Sequence, residues 1–102
     1  MKPFDVLLEE TDLPAVALTD ALADVYGGDL PLADECVYAN FVATLDGVVA
    51  IPSVPRSNEV VAGDNDADRF LMGILRAVAD CVLIGAGVLR ESPKSTWRAE
   101  QI

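Results

Sequence analysis

The stretch 64–79 constrains the fold more than any other part of the chain. Phe70, Leu71, Ile74, Leu75 and Val78 recur there at spacings of one, three and four, the period of a helix with one buried face. Asp64, Asp66 and Asp68 gather at its start, where carboxylates cap free N–H groups and complement the helix dipole. The pattern predicts a helix over Asp64–Ala79. An apolar run lies on either side, Val37–Thr44 (VYANFVAT) before it and Cys81–Ile84 (CVLI) after it. Both are rich in residues that favour strands. A strand, a helix and a second strand in that order predict parallel pairing in an α/β sheet, since parallel neighbours need a crossover of this length.

Around this unit the sequence predicts smaller elements. Phe4–Leu8 reads as a short strand or an apolar docking segment. Thr19 is placed to N-cap a helix running through Tyr26, which Gly27-Gly28 would end with a left-handed residue. Asp29–Glu35 reads as a connector, and Val48–Ile51 as a second short strand. Pro52 and Pro55 restrict the stretch Pro52–Asn58, which reads as a loop beside a core strand, a usual position for binding residues. Gly85-Ala86-Gly87 is the turn after Cys81–Ile84, with a short helix from Val88 that Pro93 ends. Residues 1–35 are thus expected to form an N-terminal extension and 36–102 the core unit.

Composition narrows the chemistry. The 102 residues are 52% hydrophobic and 24% charged, the balance of a folded chain rather than a disordered one. No apolar run is long enough to span a bilayer and no signal-peptide pattern opens the chain, so a cytoplasmic location is the default expectation. A net charge of −10 disfavours nucleic acid as a partner. With no histidine, any catalysis must rest on carboxylates, hydroxyls, backbone groups or a cofactor. Cys36 and Cys81 lead into apolar runs and are expected to be reduced and mostly buried.

Three local patterns point toward a site. The Gly85-Ala86-Gly87 turn could bring backbone close to a phosphate, although Arg90 stands where a dinucleotide fingerprint has its third glycine. Asp46, in an Asp-Gly turn, is either a turn residue or a carboxylate that orients a ligand, and it is the candidate catalytic residue. Arg76 is either a snorkelling side chain or a fixed cation for a phosphate or ring carbonyl. Asp64–Asp68 imitates the start of a calcium loop, but Arg69 and Leu75 replace the glycine and glutamate that loop requires. No metal site is expected.

At these residues the chain resembles the C-terminal reductase domain of the bifunctional riboflavin-biosynthesis deaminase-reductase, and most of all its stand-alone pyrimidine-reductase-like relatives of actinobacterial type. The resemblance rests on Phe41–Gly47 (FVATLDG), Leu75–Ala77 (LRA) and Asp80–Gly87 (DCVLIGAG), with support from Gly63-Asp64 and Arg69. It implies a dihydrofolate-reductase-like α/β fold, with a mainly parallel sheet and flanking helices. It also implies NADPH as cofactor, and hydride transfer to the opened ribose of a ribosylaminopyrimidine phosphate. Carried over by position, Val42, Ala43 and Thr44 would border the cofactor, and Gly85, Ala86, Gly87 and Val88 would meet it. Ser57 and Arg76 would face the substrate.

Val88 replaces the threonine the family usually carries after its GAG, and Glu91-Ser92-Pro93 replaces the family's Asp-Asn/Asp-Pro turn. The second departure favours a divergent reductase, whereas Val88, which has no hydroxyl to give a cofactor, favours a non-catalytic relative. The family domain is about twice as long, so the resemblance implies that 36–102 is its N-terminal portion, acting as a homodimer or with a complementing fragment. A non-catalytic binding or assembly module of the same origin is the alternative reading. A generic nucleotide-binding α/β domain is weaker than either, because the third glycine fails.

Overall fold

The computed structural model describes residues 1–8 and 12–98. The chain divides into two compact units, Met1–Ala39 and Asn40–Ile102.

In the first unit, two-residue strands enclose a helix. β1 (Ala15–Val16) and β2 (Leu30–Pro31) pair antiparallel, Ala15 opposite Pro31 and Val16 opposite Leu30. The Leu32 N–H extends the ladder to the Pro14 carbonyl at 3.0 Å. Pro31 is tolerated because a two-stranded sheet has only edges, where a missing donor faces no partner. Between the strands lies α1 (Asp20–Tyr26). Thr19 is its N-cap residue, but through the backbone: its carbonyl accepts from the Leu22 and Ala23 N–H groups while its hydroxyl makes no cap bond. Gly27 ends the helix at φ +98°, and the N–H groups of Gly27 and Gly28 both bond the Ala23 carbonyl. The Phe4 N–H donates to the Val25 carbonyl at 2.8 Å, and the Phe4 ring lies tilted against Tyr26 with centroids 6.0 Å apart. Phe4–Leu8 therefore forms no strand, and its docking is confined to Phe4, since Val6, Leu7 and Leu8 are exposed.

The second unit holds three helices: α2 (Ser57–Ala62), α3 (Asp66–Val78) and α4 (Ala86–Glu91). The central helix matches its sequence pattern to within two residues at each end. Its cap differs from the expectation. Asn65, not one of the aspartates, closes the N-terminus, its side-chain oxygen accepting from the Ala67 N–H at 2.9 Å and the Asp68 N–H at 3.3 Å. Asp64 instead stands in the left-handed region at φ +56° and pairs with Arg69 at 3.0 Å. Gly63 precedes it at φ +58°, so two consecutive left-handed residues turn the chain from α2 into α3. Replacing Asn65 with alanine should cost about 1 kcal/mol, the usual loss for a cap, read as a lower urea midpoint with an unchanged slope.

The buried stripe of α3 is Phe70, Gly73 and Ile74, at spacings of three and one; Phe70 is 8% exposed and Ile74 1%. Burial of such side chains contributes roughly 1.5–3 kcal/mol each. Leu30, 3% exposed, is the only other buried large apolar residue among those described. Within the second unit no two helices pack extensively along one another among the described residues.

The sheet expected from the strand–helix–strand order is absent. The only sheet among the described residues is the antiparallel β1–β2 pair, which lies in the stretch read as an extension and connector. Neither Val37–Thr44, Val48–Ile51 nor Cys81–Ile84 forms a strand. The dihydrofolate-reductase-like α/β fold with a parallel sheet is therefore corrected to a small chain, about one third helical, carrying one two-stranded antiparallel ribbon. The physical reason is that strand propensity describes fitness for a pleated surface, and a strand exists only once a neighbour supplies its ladder. The same absence exposes Cys36 and Cys81, both free thiols that were expected to be mostly buried. The loop expected over Pro52–Asn58 also ends early, because α2 begins at Ser57.

Candidate functional site

The Thr44–Val48 segment forms a closed turn. The Thr44 N–H donates to the Val48 carbonyl at 3.0 Å, and the Val48 N–H returns to the Thr44 hydroxyl at 2.9 Å. That hydroxyl donates to Asp46 Oδ1 across a short contact. Gly47 supplies the left-handed residue at φ +86°, and its N–H bonds the Thr44 carbonyl. Asp46 is therefore employed in its own turn, with its carboxylate exposed. Ala43 and Thr44 are exposed as well, and Val42 is half-buried.

Ser57 opens α2, and its hydroxyl accepts from the Ile51 N–H at 3.0 Å, tying the proline loop to the helix start. Arg76 lies in the last turn of α3, half-buried, where a cation complements the C-terminal carbonyls. Its guanidinium donates to the Met72 sulfur at 3.7 Å, and it makes no ion pair among the described residues.

Gly85 is the N-cap residue of α4, and Ala86, Gly87 and Val88 form its first turn, all exposed. Gly85 adopts φ −76°, ψ 152°, extended backbone open to any residue. A Cβ placed on it would meet nothing within 4 Å, and one on Gly87 would touch only the Arg90 guanidinium at 3.9 Å. Neither backbone strain nor packing among the described residues requires glycine at these positions.

The structure thus brings Thr44 and Asp46 into direct contact and keeps Gly85–Val88 together as one turn. Among the described residues no hydrogen bond or ion pair joins these two groups to each other, to Ser57 or to Arg76. No group of acids and cysteines there is arranged to hold a metal ion. No helix is long and apolar enough to cross a membrane.

A concavity missed in the sequence lies where α2 begins and α4 ends. Arg56, Asn58, Glu59, Glu91 and Trp97 contribute to its lining. The Arg56 N–H points to Glu91 Oε2 at 3.5 Å, joining residues 35 positions apart. Only that separation in sequence hid it, because no spacing rule links Arg56 to Glu91.

Comparison with known proteins gave no match, whether to a family model, to a curated protein or to a solved structure.

Proposed function

We propose that the chain serves an NADPH-dependent reductase of the pyrimidine-reductase type, reducing a phosphorylated ribosylaminopyrimidine. The observation that carries this reading is the open face of Gly85. A glycine that neither the backbone nor internal packing requires is explained by a ligand whose close approach a side chain would block. Phosphate groups exploit such openings, since exposed N–H groups can reach them only where no Cβ intervenes. With only six residues, α4 carries a weak dipole, so close approach rather than helix charge would hold the anion. The order of FVATLDG, LRA and DCVLIGAG along the chain supports the same reading without any appeal to a sheet.

In this reading Gly85–Val88 would hold NADPH, with Val42, Ala43 and Thr44 at its border, and the cofactor would supply the hydride. Val88 offers only apolar contact, so Thr44 is the hydroxyl of the set. Ser57 and Arg76 face the substrate, Arg76 as the cation toward its phosphate. Asp46 fixes the Thr44 hydroxyl and thereby orients the cofactor edge. The net charge of −10 and the free surface thiols accord with a small-molecule enzyme of a reducing, cytoplasmic compartment rather than a nucleic-acid or membrane partner.

Leu83 and Phe41 of the second unit are 93% and 75% exposed. Apolar side chains beside unpaired backbone favour association, so the working form is a homodimer or a complex with a complementing polypeptide. The test is to incubate the protein with deuterium-labelled NADPH and the ribosylaminopyrimidine phosphate. One deuterium is expected on the ribityl carbon of the product. An intact substrate after many enzyme equivalents of time, in a preparation that binds NADPH, would overturn the assignment of substrate and reaction.

A further inference from the structure

We infer that the cleft between the start of α2 and the end of α4 binds a small organic cation, a primary ammonium or guanidinium group. The cleft is open to solvent and mostly polar, with a volume of about 160 Å³. Among its lining residues the Arg56 guanidinium is already paired with Glu59. Among the described residues Glu91 makes no ion pair and receives only the long contact from the Arg56 N–H.

The remaining chemistry suits an N–H donor that carries positive charge. Ser92 and Ser95 share one turn, closed by the Ser95 N–H to the Ser92 carbonyl at 3.0 Å, and their hydroxyls have no partner among the described residues. Trp97 is half-buried and lines the cleft, and an aromatic side chain is a group that attracts a cation. An anion would meet the Glu91 carboxylate, whereas the net charge of −10 draws cations toward the whole surface. A divalent metal is a poorer fit, because one of the two carboxylates is committed to Arg56 and too few oxygens remain for a cation that needs six or more. This inference stands apart from the reductase reading, as no residue of the cleft other than Val88 belongs to the NADPH set.

Trp97 is the single tryptophan of the chain, so its fluorescence reports the cleft directly. Titration with n-butylammonium should give a saturable change with a midpoint on the order of millimolar, as expected for so small a ligand. n-Butanol at the same concentrations should give none. E91Q, with its far-UV circular dichroism unchanged, should weaken binding at least about tenfold. R56Q releases Glu59 and should tighten it. A non-saturating response, equal midpoints for butylammonium and butanol, or an R56Q protein that binds more weakly than the parent would overturn the inference.

Discussion

Replacing Ile74 with aspartate is expected to abolish the folded state of the second unit. Ile74 is 1% exposed and is the most deeply buried large side chain described. Truncating a buried isoleucine costs roughly 2–5 kcal/mol, and a carboxylate left there without a partner adds several more. The sum matches or exceeds the whole stability of a small domain, about 5–15 kcal/mol. Ile74→Asp should therefore lose its cooperative urea transition, while Ile74→Val, which removes one methyl, should retain it with a loss of about 0.5–1.5 kcal/mol. Leu83→Asp is the informative contrast. That side chain is 93% exposed, so the same chemical change should move stability by no more than about 0.5 kcal/mol. It should also reduce self-association. Equal losses for Ile74→Asp and Leu83→Asp would mean that the stripe on α3 is not what holds the unit together.

Gly85→Val is expected to do the opposite, sparing the fold and removing the cofactor. The position has φ −76° and ψ 152°, which valine adopts readily, and a Cβ there meets no atom within 4 Å. Stability should hold or rise by about 0.4–1 kcal/mol, because the unfolded chain loses freedom when glycine is replaced. The branched side chain would fill the space through which a phosphate reaches the N–H groups of the turn. Affinity for NADPH should fall by about a hundredfold or more, about 2.8 kcal/mol. Few substitutions separate folding from binding so cleanly, since glycines at ligand turns often hold a positive φ as well. Gly47, at φ +86°, is such a case, and substitution there would confound the two effects.

What could be read from the sequence followed the range of the interactions involved. The α3 helix was legible because its period is written in Phe70, Leu71, Ile74, Leu75 and Val78, within one element. The end of α1 was legible too, because Gly27 can accept a left-handed conformation without help from elsewhere. The cap of α3 was misassigned among neighbouring acids, since Asp64, Asn65 and Asp66 are all competent and only the turn from α2 decides which oxygen faces the free N–H groups. The start of α2 was hidden by Pro52 and Pro55, whose restrictions end one residue before the left-handed Arg56.

The strands failed for a different reason. Val37–Thr44 and Cys81–Ile84 have the composition of strands, but pairing is a property of two segments, and no ladder joins them. The thiols of Cys36 and Cys81 are exposed as a consequence. For the site, the local motifs kept their local geometry. Thr44–Asp46 forms its turn, and Gly85 begins its helix. The cleft of Arg56, Glu91 and Trp97 was not legible, because its members meet only through the path of the chain around α3.

Direct titration tests whether the Gly85 turn receives NADPH. Wild-type protein and Gly85→Val, matched for far-UV circular dichroism and urea midpoint, would each be titrated with NADPH by isothermal calorimetry. A saturable one-site isotherm is expected for the wild type and none over the same range for Gly85→Val. An isotherm of the same affinity in both proteins, or no binding by the folded wild type, would contradict that role for the turn.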